Sequence, residues 1–468
     1  MSQPLLDRLT ALLFERRARG WLVGGSVRDR LLGRPSPDLD VVVTEDPALI
    51  ARVLADRLGV PFFALSQEFA AYRVVMPEGH LDIAALRGGS LESDLGLRDF
   101  TVNAIALPLE GGDMIDPHGG VADLEQRLLV PVGPDAFRDD PLRLLRAARF
   151  IHVLGLKPGR GVDEHMRRQA CLLPEAAGER ILSEVVLTLN DGRSPGAFRV
   201  WRELGLLPFF LPEVAAPASL HRVDQDTTLL GHTAAALGRL EDILERPGKW
   251  FPGPWEALEK RLAVEVDGMV PRPVALRLAV LLHALGWAAV PNEPGAEIAA
   301  AVEGAEQVRD ICGRLRCSVA LTRLLERVVR ELPALGFLSE GPDGGREPAR
   351  YLREASPFVP ECVLTSAAHL LALSPATPWR KTADELLTEW ARRESGQSEP
   401  FPLDGRLLMA ELGLESGPFL GEVLREAGLA WEAGEVTDRR ALLEHVRGYV
   451  ASRRGPGPRG IINGPNLN

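Results

Sequence analysis

Residues 21–43 read WLVGGSVRDRLLGRPSPDLDVVV, and this stretch decides the fold of the first part of the chain. It predicts a strand that runs into the Gly24-Gly25 turn, then a helix, then a second strand at Leu39–Val43. Paired glycines let backbone amides approach a phosphate closely, and a helix N-terminus favours anions. Arg28 follows in the first helical turn, where it is placed to meet the same phosphates. By itself the turn is equally consistent with an ordinary strand–helix connection.

The two aspartates beside the second strand add a metal-binding pattern. Asp38 and Asp40 are two residues apart, so in a strand both carboxylates project from the same side. Two like charges held this close are costly unless a cation bridges them, although Asp-x-Asp also occurs at ordinary polar strand ends. Asp82 lies in a second strand-like run, HLDIAAL, and its alternative is likewise a strand-end aspartate. We interpret the three as catalytic ligands of two Mg²⁺ ions.

Composition limits the class of protein. The 468 residues are too many for one ordinary core, and 46% hydrophobic with 25% charged residues is typical of a soluble globular protein. A net charge of −11 argues against a generally basic nucleic-acid binder, but local arginine patches can still bind phosphates. The most apolar window, Val274–Val290, is too short and too polar to span a bilayer. We therefore expect a cytoplasmic protein without a membrane segment, and its four cysteines read as reduced thiols.

The hydrophobic period changes along the chain. Short Val- and Ile-rich runs alternate with glycine turns in the first part, and helical spacing starts near Pro141 and continues. The predicted fold class is α+β, with a mixed-sheet head followed by an elongated helical neck, body and tail. The expected divisions are head 1–135, neck 136–219, body 220–340, C-terminal helical region 341–456 and flexible tail 457–468.

Further motifs follow the first in a fixed order. They are RDFTVNAIA (98–106), DPHGGVADL (116–124), RDDPLRLLRAARF (138–150) and GER with ILSEVVLTL (178–189). This succession resembles the class II tRNA nucleotidyltransferases and the bacterial poly(A) polymerases, within the polymerase-β-like superfamily. Residues 402–427 resemble the C-terminal region with which that family holds tRNA. The resemblance implies template-independent addition of nucleotides to the tRNA 3′ end from CTP, with ATP as a further substrate to consider.

The resemblance also implies a nucleotide pocket. Arg98 and Asp99 are similar to the pair that senses ribose and triphosphate, and Asn103 follows them by helical spacing. In a helix beginning near Asp139, Asp140 and Arg143 would present an acceptor and donors to the Watson–Crick edge of cytosine. Asp139 stands where the family usually has glutamate, so its role is open, and an ordinary surface helix is the alternative. The full nucleotide-binding set is Gly24, Gly25, Arg28, Arg98, Asp99, Asn103, Asp139, Asp140, Arg143, Arg146 and Arg149.

The segment between two of these motifs narrows the activity. Only residues 88–97, GGSLESDLGL, separate Arg87 from Arg98. Relatives that complete the CCA end carry a longer flexible loop here, and a short one marks the branch that adds CC and leaves the adenosine to a separate A-adding enzyme. The alternatives are a complete CCA-adding enzyme, an A-adding enzyme or poly(A) polymerase, and, more remotely, an inactive tRNA-binding protein.

A second resemblance lies in the helical body. LLGHTAAAL (229–237) and LAVLLHALGWA (278–288) resemble the HD phosphohydrolase domain of some bacterial relatives. Ala284 stands where that domain needs an aspartate, and Ala300 where it needs another histidine. We therefore expect no hydrolytic metal site, with His232 and His283 as leftover core or surface histidines in a domain that supports tRNA. The closing IINGPNLN (461–468) resembles the start of type II dehydroquinases but is too short for their active site.

Overall fold

The computed structural model describes the chain except residues 1, 36–37, 67–69, 78, 217–227, 292, 294, 342–345, 398–400 and 455–468. The terminal IINGPNLN therefore lies outside the described residues. The chain divides into two compact units. The first comprises Met1–Asp191 with Gly196–Pro212, and the second comprises Gly192–Pro195 with Glu213–Asn468. The first unit thus contains the whole predicted head and most of the predicted neck.

A six-stranded mixed sheet forms the centre of the first unit. Its strands are β1 Gly20–Val23, β2 Leu39–Val43, β3 Phe62–Ser66, β4 Ala71–Met76, β5 Gly79–Ala85 and β6 Ala106–Pro108, in the order β3-β4-β5-β2-β1-β6. β2 and β5 are parallel, and the other neighbours are antiparallel. A parallel pair of strands, β7 Leu128–Leu129 and β8 Lys157–Pro158, lies apart from this sheet. The mixed-sheet head that the sequence predicts is confirmed.

Helices cover the sheet and continue the first unit. They are α1 Ser2–Glu15, α2 Gly25–Leu31, α3 Pro47–Leu58, α4 Leu91–Gly96, α5 Gly120–Glu125, α6 Ala136–Asp139, α7 Arg143–Leu154, α8 Val162–Gln169, α9 Gly178–Leu189, α10 Ser194–Glu203 and α11 Leu207–Phe210. Short 3₁₀ turns occupy Arg87–Gly89, Thr101–Asn103 and Ala170–Glu175. In α3, Asp46 caps the N-terminus and Gly59 ends the helix in the left-handed region. Ile50 and Leu54 of α3 pack with Val41 and Ile83 of the sheet in one hydrophobic core.

The helix expected to begin near Asp139 begins later. Asp139 ends the short α6, Asp140 is extended with φ −149° and ψ 101°, and α7 starts at Arg143. The residue before a proline is disfavoured in the helical region, and Pro141 imposes this restriction on Asp140. Asp139 and Arg143 therefore lie on different helices, and the prediction of one helix beginning near Asp139 is wrong.

The regular elements of the second unit are helices, and its described residues add one isolated antiparallel bridge between Glu265 and Pro271. Its helices are α12 Pro212–Ala215, α13 Leu229–Glu245, α14 Pro247–Trp250, α15 Trp255–Leu262, α16 Arg272–Leu282, α17 Glu297–Arg314, α18 Val319–Arg330, α19 Ala334–Glu340, α20 Arg346–Glu354, α21 Val359–Leu373, α22 Arg380–Glu394, α23 Gly405–Leu412, α24 Pro418–Glu432 and α25 Arg439–Arg454, with a 3₁₀ turn at Leu285–Ala288. Among the described residues, no single helix is long and apolar enough to cross a membrane. The helices α20 and α21 have sufficient length and apolarity only when taken together, and the pair is bent by 109°.

Candidate active site

The carboxylates meet where β2 and β5 run side by side. Asp40 and Asp82 are register partners on these parallel strands, so they occupy adjacent positions in the sheet. Ser26 at the start of α2 fixes the strand edge, because its hydroxyl accepts from the Asp40 amide at 2.8 Å and donates to the Asp38 carbonyl at 3.2 Å. Gly24 has a φ of 67°, and any other residue at this position would place its Cβ only 2.7 Å from Nη1 of Arg98. The glycine turn thus lets Arg98 approach the carboxylates.

Three like charges shape the electrostatics of this edge. Burial raises the pKa of Asp40, and the neighbouring carboxylates of Asp82 and Asp38 add to the effect, whereas Arg98 opposes it. A bound cation would relieve this repulsion, and carboxylate oxygens are the ligands that Mg²⁺ prefers. The donor set therefore fits a divalent metal.

Two of the carboxylates also have partners that sequence reasoning missed. Arg73 donates to both oxygens of Asp82, each at 2.8 Å, and Nδ1 of His80 lies 2.9 Å from Oδ1 of Asp38. Arg73 is the register partner of Asp82 on β4, so the contact depends on a strand pairing that the sequence does not reveal. A metal at Asp82 has to share that carboxylate with Arg73.

Asp94 is a further residue that the motifs did not indicate. Its side chain is 1% exposed, and it accepts from Nε of Arg87 at 2.8 Å and from Nη2 of Arg98 at 2.9 Å. Burial acts to raise the pKa of Asp94, but the two arginines outweigh it, so the pKa lies below its usual value. One buried carboxylate therefore positions an arginine at each end of the short segment. The i, i+4 spacing of Asp94 and Arg98 was the available sequence signal.

A buried polar network extends from the site into α7 and α9. Asp99 accepts from Asn103 at 2.9 Å and from Nη2 of Arg146 at 2.8 Å. Glu184 joins it by accepting from Nη1 of Arg146 at 3.4 Å and from Nε of Arg149 at 2.8 Å. Burial acts to raise the pKa of Asp99, but the Arg146 charge and the hydrogen bonds lower it overall. Arg146 is thus held over the site by acids on both sides.

A cavity of about 330 Å³ opens beside the carboxylates. Eight of the predicted site residues line it: Gly24, Gly25, Asp40, Asp82, Arg98, Asp99, Asn103 and Arg146. Among the described residues, the other predicted ones lie outside its lining: Arg28, Asp38, Asp139, Asp140, Arg143 and Arg149. Arg28 is buried, where it donates to Asn103 at 2.7 Å and pairs with Asp29. Its contact with phosphates therefore stays a prediction.

The two residues expected to read the base have separate partners. Asp140 accepts from Nη2 of Arg180 at 2.8 Å, whereas Nη2 of Arg143 donates to the Leu97 carbonyl at 2.9 Å. Arg180 belongs to the GER motif but was not singled out from the sequence. Asp139 is exposed at the end of α6.

Comparisons with known proteins agree with this geometry. Residues 20–130 match the poly(A) polymerase head domain, and residues 157–216 match the probable RNA- and SrmB-binding site of polymerase A. A Thermotoga maritima CCA-adding enzyme complexed with tRNA is similar in fold, with a TM-score of 0.60 at 21% identity over 96% of this chain and 95% of that one. The chain therefore contains a head domain of the poly(A) polymerase type and has the fold of that CCA-adding enzyme.

Sequence relatives define the family more closely. A CC-adding tRNA nucleotidyltransferase of Thermus thermophilus is 32% identical over 91% of this chain and 93% of its own length. An A-adding tRNA nucleotidyltransferase of Deinococcus radiodurans is 33% identical over 89% of this chain and 92% of its own length. A CC-adding one of Geobacter sulfurreducens is 35% identical over 61% of this chain and 64% of its own length. The chain belongs to the tRNA nucleotidyltransferase family and is an enzyme.

Proposed function

We propose that this enzyme adds two CMP residues to the 3′ end of cytoplasmic tRNA from CTP and stops at CC. Relatives named CC-adding, including the Thermus protein aligned over nearly the whole chain, support the reaction. Identity alone does not choose the nucleotide, because the A-adding relative is equally similar. The choice of CC rests on the segment between Arg87 and Arg98.

That segment is a folded element in this chain. Gly88 and Gly89 turn the backbone with positive φ, and α4 follows at once. Leu91 and Leu95 are 7% and 0% exposed and pack in a small core with the sheet. Asp94 binds both flanking arginines. This segment is held at both ends and in its middle. It therefore resists the change of conformation that a longer flexible loop could make between cytosine and adenine addition.

A link from this segment to α7 is the observation that carries the proposal. Arg143 donates to the carbonyl of Leu97, the last residue before Arg98. Adenine is larger than cytosine and requires a different setting of the residues that read the base. Because Arg143 is tied to a fixed segment, we infer that the pocket keeps the setting that suits cytosine. Asp140, beside Arg180, then accepts from the cytosine amine.

The chemistry is nucleotidyl transfer. The tRNA 3′ hydroxyl oxygen forms a bond to the α-phosphorus of CTP and the bond from that phosphorus to the oxygen bridging to the β-phosphorus breaks. Pyrophosphate leaves with the electron pair of that bond, and the hydroxyl proton passes to solvent water. Mg²⁺ held by Asp38, Asp40 and Asp82 would lower the cost of the charge that develops on these oxygens. Arg98 and Arg146 line the cavity and are placed to bind the triphosphate. Asp94 holds Arg98 in position, and Asp99 holds Arg146.

The test is incubation of the full chain and Mg²⁺ with a tRNA lacking CCA, a tRNA ending in CC, and each labelled triphosphate in turn. We expect CMP incorporation that stops after two additions and none of AMP, so that a separate A-adding enzyme completes the end. AMP incorporation into the tRNA ending in CC would assign CCA or A addition instead. Absence of any incorporation would favour an inactive tRNA-binding protein.

A further inference from the structure

We propose that His232, His283 and His369 in the second unit bind one divalent transition-metal ion, for which Zn²⁺ is the best fit. All three side chains are buried, and their candidate ligand nitrogens lie within 4.8 Å of one another. The ring centroids are 4.9 to 5.1 Å apart in each pair. His369 was not singled out from the sequence, and it converts two isolated histidines into a ligand set.

The three ligands come from helices that pack against one another. His232 lies on α13, His283 directly follows α16, and His369 lies on α21. Each pair among these three helices is in contact. Ligands carried on mutually packed helices are held more precisely than ligands on loops. The convergence is therefore a property of the helical core.

The hydrogen bonds of the histidine rings indicate which nitrogens can bind a metal. Nδ1 of His283 lies 2.5 Å from the Val280 carbonyl, which only accepts, so Nδ1 carries the proton and Nε2 keeps a lone pair for a metal. Nε2 of His232 and Nδ1 of His369 are 2.9 Å apart. Two nitrogens bound to tetrahedral zinc at about 2.0–2.1 Å lie roughly 3.3 Å apart. One of these two nitrogens carries the proton of the hydrogen bond between them. When that proton moves to the other nitrogen of its ring, small rotations of the rings make a binding geometry.

A cavity adjoins the cluster. His283 and His369 line a space of about 210 Å³ that the carboxylates of Glu297 and Glu340 also line. Three protein ligands leave the fourth position of a tetrahedral ion open to water or a small ligand from this space. The three-histidine set has no carboxylate ligand, because Ala284 stands where the HD phosphohydrolase domain has an aspartate. An all-imidazole site favours Zn²⁺, Ni²⁺ or Co²⁺, whereas Mg²⁺ prefers oxygen ligands.

Equilibrium dialysis of the full chain against Zn²⁺ with excess Mg²⁺ tests the site. We expect one Zn²⁺ per chain and, when Co²⁺ replaces it, the visible absorption of a tetrahedral cobalt centre. His232→Ala, His283→Ala and His369→Ala should each weaken Zn²⁺ binding by roughly 100-fold or more, since each removes a ligand. His445→Ala, a histidine of the same unit that contacts Glu426, is the matched control and should bind normally.

His369→Gln nearly preserves side-chain volume and should lose Zn²⁺ while its circular dichroism stays native, which separates ligand loss from misfolding. Absence of stoichiometric Zn²⁺ from the unaltered protein would overturn the proposal. Retention of Zn²⁺ in folded histidine variants would do the same, because it would place the ion elsewhere. CMP addition to tRNA is measured separately, so neither result bears on the proposed reaction.

Discussion

Asp40 carries the electrostatic conflict around which the candidate site is built. Burial and two neighbouring carboxylates raise its pKa, while the charges of Arg98 and His80 oppose this shift. Asp99 and Asp94 are instead matched to arginines. Aspartates that position arginines therefore lie beside Asp40, which needs a cation. Substitutions at Asp40 and at Asp99 should have different effects on catalysis and on stability.

Asp40→Asn should reduce CMP transfer by at least about 100-fold, because an amide is a poor Mg²⁺ ligand and transition-state charge is left uncompensated. The thermal midpoint without metal should stay the same or rise, since one of three clustered charges is removed. Single-turnover transfer and thermal unfolding are the measurements. Asp113→Asn, an exposed aspartate of the same unit, is the control. Transfer near the unaltered rate in Asp40→Asn would remove the metal assignment.

Asp140→Ala should lower CTP use and weaken discrimination against UTP, because uracil offers a carbonyl where cytosine offers an amine. Leaving Arg180 and the cytosine amine without this acceptor should cost roughly 1–3 kcal/mol in kcat/KM for CTP. The CTP-to-UTP ratio is measured against Asp135→Ala, whose exposed carboxylate pairs with Arg138. An unchanged ratio would mean that Asp140 does not read the base.

Asp99→Asn should destabilise the folded protein by roughly 1–3 kcal/mol at neutral pH, because it removes the charge that pairs with the partly exposed Arg146, which keeps Glu184 as a second partner. The folded pKa of Asp99 is lowered, so its stabilisation is complete above the unfolded value of about 3.9 and is lost as pH falls through the folded value. Urea unfolding should therefore show the two proteins converging below about pH 4. A difference that persists undiminished there would exclude the charge as its cause.

The folded segment Arg87–Arg98 is the element on which nucleotide choice depends. Its helix α4 is capped by Ser90, which accepts from the Ser93 amide, and Leu91 and Leu95 of this helix are buried. Its shortness is evident from the sequence, and the structure adds that it is anchored through Asp94 and linked to α7 through Leu97. Lengthening the segment should loosen these contacts without altering Asp38, Asp40 or Asp82.

Replacing residues 88–97 with the longer loop of a CCA-completing relative, with an aspartate kept four residues before Arg98 in place of Asp94, should permit some AMP addition to a tRNA ending in CC. The expected cause is release of Arg143 from the Leu97 carbonyl. An insertion of equal length between Gly111 and Gly112, where added side chains would meet open space, is the control and should leave the CC product unchanged. If the natural enzyme itself completes CCA, the claim that it stops at CC fails.

Over the whole molecule, catalysis and tRNA holding are expected to lie in different units. The first unit contains the carboxylates and the cavity. In the second, helices α23 to α25 form a small core of their own around Leu408, Val423 and Val446. Residues 402–427, which contain α23 and most of α24, are the stretch whose sequence resembles the tRNA-holding part of the family, and α25 follows them with the exposed Arg439 and Arg440 at its start. We propose that these arginines contact tRNA phosphates.

The double variant Arg439→Glu/Arg440→Glu should weaken tRNA binding and reduce the salt dependence of its affinity, by a slope of roughly 1 for each phosphate that the protein no longer binds. The KM for CTP should not change, because the nucleotide cavity is in the other unit. Lys381→Glu, an exposed charge change on α22, serves as the control. An unaltered affinity and salt slope would place the tRNA-binding residues elsewhere.

Local patterns in the sequence were sufficient for the fold class and for much of the site. The glycine turn, the Asp-x-Asp strand and the later helical period each depend on near neighbours, and α/β periodicity follows directly from such spacing. Eight of the residues chosen from such local patterns line one cavity, although strand pairing and helix packing brought their elements together there. Pro141 is a local signal of the same kind, because it restrains Asp140 and shifts the start of α7 to Arg143.

Tertiary structure decided which charged groups meet. Arg73 reaches Asp82 through strand pairing, and Arg180 reaches Asp140 across 40 residues of chain. His232 and His369 lie 137 residues apart in sequence and yet 2.9 Å apart in space. Such contacts depend on how elements pack, and periodicity within one element carries no information about its partner. The sequence therefore determined what chemistry this enzyme carries, while packing determined which side chains hold it in place.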